Sequence, residues 1–460
     1  MNINKNFKYV FISNIANRLL SSLVFYLLSV YFEKSVFGDF IWCFTIVNYF
    51  AMLADLGLDL VGIRQFSESN GNENIVNNIF STKLLLSLLS FIGCFAFVFL
   101  FPFTEIQKKI IFLFSLQILL LPFQFLWYYS AIMNFKIQAY TSLIQNSTYL
   151  LLVYVFGYLK LSEYIPLTYT LSFIVPSILL YAGFKKSYPS FSFLIIGFKK
   201  TIIESLALGS SRIFTAMYAS FDILFIGLLL TPAQVGDYSV AFKIASVFLI
   251  PCISLSGIFL PKIISSINEN FEYNKNRVDF IDSMIIFSTL TSLFLIFNSD
   301  LILQLLYGNK YNNSIFLLTI LAGRVFFVHF SYSFSNICIA LNRDKKILFN
   351  TIFTLLFNVI SSFIFIKHFN VRGAAYSSIA TEVFCMLLYY ISITSDFRNG
   401  RWFSLSKHFF ISLGILIVIS IIINNLAIIP LGKLIINTFT FMIFLIFLRF
   451  KNIFNILKFV

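Results

Sequence analysis

The residues of this chain that could do chemistry are ionisable groups set inside long apolar runs. Asp55 and Asp59 interrupt the run that begins at Ile41. Arg18 lies in the middle of the first run, one helical turn from Asn14, and Arg212 and Arg324 lie in later ones. Asp222, Glu382 and Lys243 complete the set, so cations and anions at depth are equal in number. A charge at the centre of an inserted helix costs about 2.5–3.5 kcal/mol and is rarely placed there without a task. A guanidinium stays charged and presents a planar fork of donors that fits phosphate. Arg18, Arg212 and Arg324, with Asn14 beside the first, are therefore candidate ligands for an anionic, phosphate-bearing group. Asp55, Asp59, Asp222 and Glu382 could each bind and release a proton or a sodium ion. The same charges could instead pair with one another for structure, and charge balance alone does not separate these readings. Lys83 and Glu204, near span ends, are expected to extend to the membrane interface.

Helices must position these groups. Residues four apart share one helical face, so Asn14 with Arg18 and Asp55 with Asp59 each form a polar stripe on an apolar helix. The chain has 460 residues, 59% hydrophobic and 11% charged. A soluble domain carries about 25% charged residues, so this is an all-α polytopic membrane protein. Phe, Ile, Asn and Lys are all abundant, as an A/T-rich genome produces, and the aromatics are not read as a binding surface. A span needs about 20 apolar residues. That ruler finds fourteen, near 8–31, 39–63, 78–102, 108–131, 141–159, 165–184, 202–230, 235–261, 279–298, 312–341, 346–367, 372–394, 407–426 and 430–449. Twelve plus a re-entrant pair is the alternative. The first run is too long for a signal-peptide core and no small-residue cleavage site follows it, so it is expected to be retained.

Of the 33 lysines and arginines, twenty fall at the termini and in even-numbered loops, eight in odd-numbered loops and five inside spans. Positive residues favour the cytoplasm, which predicts cytoplasmic termini and an even span number. The net charge of +14 is thereby accounted for without nucleic acid. Val36-Phe37-Gly38-Asp39-Phe40 follows the first span and Gln234-Val235-Gly236-Asp237-Tyr238 follows the seventh. The same Gly-Asp-aromatic pattern at the same place in the span order predicts an internal duplication. The expected organisation is a six-helix lobe over 1–184, a basic linker over 185–201, a second six-helix lobe over 202–394 and an additional helix pair over 395–460.

Other chemistries find little support. Cys43, Cys94, Cys252, Cys338 and Cys385 lie in apolar segments without paired spacing, which argues against disulfides and metal clusters. The histidines are scattered, and His329, inside the tenth span, reads as structural. Gly432-Lys433 lacks the glycine pattern of a nucleotide phosphate loop. No cofactor is expected beyond a proton or sodium gradient. Pro122, Pro176 and Pro251 fall within spans and are expected to kink or bend them.

Asp55-Leu56-Gly57-Leu58-Asp59 with Gly62-Ile63-Arg64 resembles the second-helix region of the O-antigen and polysaccharide flippases of the multidrug/oligosaccharidyl-lipid/polysaccharide exporter superfamily. Leu229 to Lys243 is similar to that family's eighth-helix entry, Leu305 to Tyr311 to its outside loop before the tenth helix, and Arg343-Asp344-Lys345-Lys346 to its basic inside turn. The resemblance implies two lobes around a central cavity that open alternately to either side. It implies a multi-pass protein of the bacterial cytoplasmic membrane that moves an undecaprenyl-pyrophosphate-linked oligosaccharide outward, is not an enzyme, and works beside the polysaccharide polymerase machinery. Cationic cavity residues would hold the pyrophosphate, and the extra helix pair would shelter the lipid tail. A lipid II flippase and a drug or cation antiporter share the architecture, although an antiporter needs a cavity dominated by carboxylates. A membrane glycosyltransferase or O-antigen polymerase needs a large outside loop, and the outside loops here are short.

Overall fold

Long apolar runs with internally satisfied backbones leave the helix as the natural way across a bilayer. The computed structural model, which describes residues 3–69, 72–188, 193, 198–394 and 430–447, is helical throughout and contains no strand among those residues. Among the described residues, ten helical stretches are long and apolar enough to cross a membrane, and Ile15–Tyr31 is a shorter apolar one. Every expected span from 8–31 to 372–394 falls on helix, and 430–449 falls largely on the helix Pro430–Phe447. The span at 407–426 lies outside the described residues.

Three expected spans are broken rather than continuous. The second comprises α2 (Lys34–Asp55) and α3 (Leu58–Glu68), separated by Leu56 and Gly57, both with positive φ (44° and 87°). The fourth runs through α5 (Glu105–Ser115), a nine-residue 3-10 segment (Leu116–Gln124) and α6 (Leu126–Ala131). Pro122 lies inside that segment and Phe125, with φ 44°, ends it. The eighth comprises α10 (Pro232–Val247) and α11 (Ile250–Ser265), where Pro251 occupies the first turn of the new helix, a position that needs no backbone donor. Pro176, by contrast, sits within the continuous helix α8 (Ile165–Ser187). The remaining elements are α1 (Ile3–Tyr31), α4 (Glu73–Leu100), α7 (Phe135–Tyr158), α9 (Phe198–Leu229), α12 (Asn270–Tyr307), α13 (Asn313–Ala340), α14 (Asp344–Phe369) and α15 (Val371–Ile393).

The chain divides into two compact units, Met1–Gly227 with Thr231–Gly236, and Leu228–Leu230 with Asp237–Val460. In the first unit an aromatic core of Phe66, Phe80, Phe125, Trp127, Tyr128, Tyr129 and Phe184 joins α3, α4, α6 and α8. The Phe125 ring stacks between Phe184 (centroids 4.0 Å apart) and Phe80 (5.5 Å), and this stacking holds a non-glycine residue in the left-handed region. Almost all of α9 belongs to this unit and packs along the second span. Trp42 Nε1 donates to the Leu224 carbonyl (3.1 Å), Tyr49 Oη meets Ser220 Oγ (3.0 Å), and Gln65 Nε2 donates to Glu204 (2.8 Å). At the α2–α3 break the two backbones nearly touch: a Cβ on Gly209 would lie 2.5 Å from Gly57 Cα. In the second unit, α12 carries the helix Pro430–Phe447 through a buried amide pair, Asn437 Nδ2 donating to Asn298 Oδ1 (2.9 Å).

The repeated Gly-Asp pattern has a matching contact in each unit. Asp39 accepts from Gln107 Nε2 (2.7 Å) in the first turn of α5, and Asp237 accepts from Asn313 Nδ2 (3.4 Å) at the start of α13. Each carboxylate thus holds the N-terminal turn of the helix two spans later, where the helix dipole favours an anion. This is the contact a duplicated unit should preserve.

Gly209→Ala should lower the thermal unfolding midpoint in nanodiscs, by an amount equivalent to about 1–3 kcal/mol of overpacking. Gly257→Ala in α11, where a Cβ meets nothing within 4 Å, should leave the midpoint unchanged or raise it by up to about 1 kcal/mol, from helix propensity.

Candidate functional site

Asp55 is the last residue of α2 and Asp59 stands in the first turn of α3. The break at Leu56–Gly57 turns both carboxylates onto a single lysine of α4. Lys83 Nζ lies 2.9 Å from Asp55 Oδ1 and 2.5 Å from Asp59 Oδ1. The lysine is buried, whereas the two carboxylate side chains are about one-third exposed (34% and 36%). Lys83 therefore does not extend to the interface as its place near a span end led us to expect. Two opposing charges inside the unit outweigh the hydration it would gain outside. The partial exposure of the two carboxylates leaves them within reach of water while the lysine between them is buried.

Glu204 is also tied inward rather than reaching freely for the interface. Besides Gln65, it has Lys200 Nζ at 3.9 Å, and one turn away Asn78 Nδ2 donates to Thr201 Oγ1 (3.0 Å). These groups, with Arg64 and Glu68, line a cleft of about 640 Å³ between α3, α4 and α9. Asp222 is buried on α9, two residues from the Ser220 hydroxyl that meets Tyr49.

Arg18 differs from the other cations. It is exposed on α1 and makes no ion pair among the described residues, while its carbonyl accepts the hydroxyls of Ser21 (3.0 Å) and Ser22 (2.8 Å). The turn beside it is fixed to α7 by amides: Asn17 Nδ2 donates to Ser142 Oγ (2.8 Å) and Asn146 Nδ2 to Asn17 Oδ1 (3.1 Å). Asn14 and Arg212 hold helical positions in α1 and α9, but their side chains lie outside the described residues.

In the second unit Arg324 and Glu382 find each other. Arg324 Nη2 donates to Glu382 Oε1 (3.0 Å), with only 8% and 4% of the side chains exposed. The guanidinium also lies 4.9 Å from the Phe242 ring centroid, a cation–π distance. This pair is closed and neutral, so Arg324 has its charge matched within the unit. His329 is buried with Nδ1 2.8 Å from the Val325 carbonyl of its own helix. Lys83 and the amide pair Asn298–Asn437 are the groups that sequence reasoning missed. The alignment of Lys83 with Ser87 and Ser90 on one face of α4 was the available signal, since a lipid-facing helix would not carry it.

A family model described as "Polysaccharide biosynthesis protein" matches residues 3–265. The probable low-salt glycan biosynthesis flippase Agl15 of Haloferax volcanii is 22% identical over 204 residues, and the match spans 41% of this chain and 42% of that relative. Among solved structures, the lipid II flippase MurJ in an inward closed conformation superposes with a TM-score of 0.72 at 18% identity, covering 96% of this chain and 99% of that one. A multidrug resistance MATE family transporter of the MOP superfamily, in an inward-facing conformation, gives 0.69 at 13% identity, covering 84% and 96%. At these identities the structures establish a shared fold.

Lys83→Met should destabilise the protein by about 1–3 kcal/mol, because it leaves two partly hydrated carboxylates side by side without their cation. Asp55→Asn, which leaves Lys83 and Asp59 matched, should cost far less. For the closed pair, Arg324→Met and Glu382→Leu should each be strongly destabilising, and the double variant should recover most of the loss. Thermal unfolding of the purified variants in one detergent checks both sets.

Proposed function

The chain belongs to the polysaccharide biosynthesis protein family, and from that premise we propose that it is a flippase for a lipid-linked oligosaccharide. The cargo in this reading is an undecaprenyl-pyrophosphate-linked repeat unit of an O-antigen or capsule, carried from the cytoplasmic to the outer leaflet of the bacterial cytoplasmic membrane by alternating access. Both termini stay in the cytoplasm, and the polymerase machinery receives the product. The protein performs no covalent step. A hydrated, charged head group cannot cross hydrocarbon unaided, so a polar path through the helices is the whole task.

The observation that carries this reading is the contrast among the cations. Lys83 and Arg324 are matched by carboxylates of their own units, whereas Arg18 is exposed in a membrane span with no ion pair among the described residues. Such an arginine is costly against lipid and belongs on a water-filled path, where its fork of donors suits a pyrophosphate. Arg212 lies on the seventh span, the counterpart of the first in the expected internal duplication, and is assigned the corresponding role. Asn14, one turn from Arg18, is assigned to substrate binding as well, and Arg324 is a further candidate substrate ligand of the second unit when its pair opens. The triad at Asp55 and Asp59 is the preferred coupling site, and Asp222 and Glu382 are secondary ones.

The likeness to a lipid II flippase structure over nearly the whole chain favours one second reading, in which the cargo is lipid II. The two cargoes share the polyprenyl pyrophosphate and differ in the sugar, so the arginine roles are common to both.

In proteoliposomes, Arg18→Ala should reduce flipping of a lipid-linked oligosaccharide at least tenfold while membrane insertion stays normal, and Arg18→Lys should restore part of it. Normal flipping by both Arg18→Ala and Arg212→Ala would remove the arginine assignment. Preference for lipid II over the oligosaccharide carrier would move the cargo to the second reading.

A further inference from the structure

Inside the first unit lies a set of polar side chains that no described residue satisfies. Ser87 on α4, Gln117 in the 3-10 segment and Ser177 on α8 are only 1%, 2% and 4% exposed. Ser87 Oγ, Gln117 Nε2 and Ser177 Oγ have no hydrogen-bond partner among the described residues. Serines of apolar helices commonly return the hydroxyl to a carbonyl of the preceding turn, as Ser172 does to Tyr169 (2.6 Å). Ser87 and Ser177 do not.

The three groups stand at one height. On one side, Phe95 meets Phe112 (6.3 Å) and Phe80 meets Phe123 (5.6 Å), so α4 and the fourth span run antiparallel with Ser87 level with Gln117–Ile118. On the other, Thr170 Oγ1 donates to the Leu113 carbonyl (2.9 Å) and Tyr181 meets Phe123 (6.2 Å), so α8 runs parallel with Ser177 within about one turn of Gln117. Both α4 and α8 pack directly on the 3-10 segment. Three unsatisfied polar groups on three neighbouring elements at one depth are costly unless a small polar molecule completes them.

We infer that the first unit encloses an internal water site bounded by Ser87, Gln117 and Ser177, and that this water relays protons to the Lys83–Asp55–Asp59 triad. Water suits the site because it both donates to hydroxyl oxygens and accepts from hydroxyl and amide hydrogens. The link to the triad is the helix itself: Lys83 and Ser87 are successive turns of one face of α4. Ser90, the next polar residue on that face, is occupied by the Phe50 carbonyl and closes the path above. The water site stands on geometry alone, and the relay rests on the coupling role proposed for the triad.

X-ray hydroxyl-radical footprinting of the protein in nanodiscs tests both parts, since radicals formed from bound water label the side chains next to it. Ile118 and Phe173, which are buried at this height, should be labelled well above Ile286 and Ile337, which are fully buried in the second unit. Labelling of all four at the same background rate would overturn the water site. The variant Ser87→Ala/Gln117→Leu/Ser177→Ala should fold with an unchanged or higher thermal midpoint, lose the labelling, and slow proton-driven flipping at least tenfold with unchanged cargo binding. Lost labelling with flipping at the native rate would overturn the relay while leaving the water site. Because footprinting needs no cargo, a failed flippase reading cannot imitate a failed water site, and it shows itself separately as absence of flipping by the unsubstituted protein.

Discussion

A lysine held between two aspartates at a break in a helix is the constraint around which the first unit is arranged. Lys83 is buried where Asp55 and Asp59 reach it from either side of the point at which Leu56 and Gly57 leave the helical path. The break in turn demands a neighbour with no side chain, which α9 supplies at Gly209. Local backbone, buried charge and helix packing therefore meet at one place in the first unit.

That dependence explains why α9, the seventh helix in the span order, packs with the second span along most of its length. Its contacts run in order along both elements: Trp42 at Leu224, Tyr49 at Ser220, Gly57 at Gly209 and Gln65 at Glu204. Hydrogen bonds in such a seam are individually modest in an apolar setting. They fix register more than they add stability. The Arg324–Glu382 pair of the second unit is arranged differently. Arg324 and Glu382 sit on continuous helices, their sum is neutral, and Phe242 covers the guanidinium.

Much of the fold was legible in the sequence, because lipid imposes a one-dimensional rule: about twenty apolar residues make a span. The Gly-Asp repeat at Asp39 and Asp237 was legible for the same reason, as a short pattern at a fixed place in the span order. The breaks were less so. A glycine at 57 or a proline at 122 permits an interruption without requiring one, and the two rings that hold Phe125 in place come from α4 and α8. The partners of buried charges were not legible at all. Whether Lys83 turns inward depends on residues 24 and 28 positions earlier, and whether Arg324 is free depends on Glu382, two helices later. Hydropathy reports how deep a residue lies and says nothing of which neighbour it meets.

The sequence separation of these ion pairs has a bearing on synthesis. When α2 and α3 leave the ribosome they carry two carboxylates and no lysine to neutralise them, and Lys83 follows only with the next span. The second and third spans must then enter the bilayer together, as a hairpin, or the aspartates must wait in the aqueous translocation channel until α4 arrives. Arg324 waits longer, since Glu382 lies 58 residues away and α14 must pass first. The first unit can thus settle its charges early during translation. The second unit stays dependent on shelter at its growing end until α15 is complete.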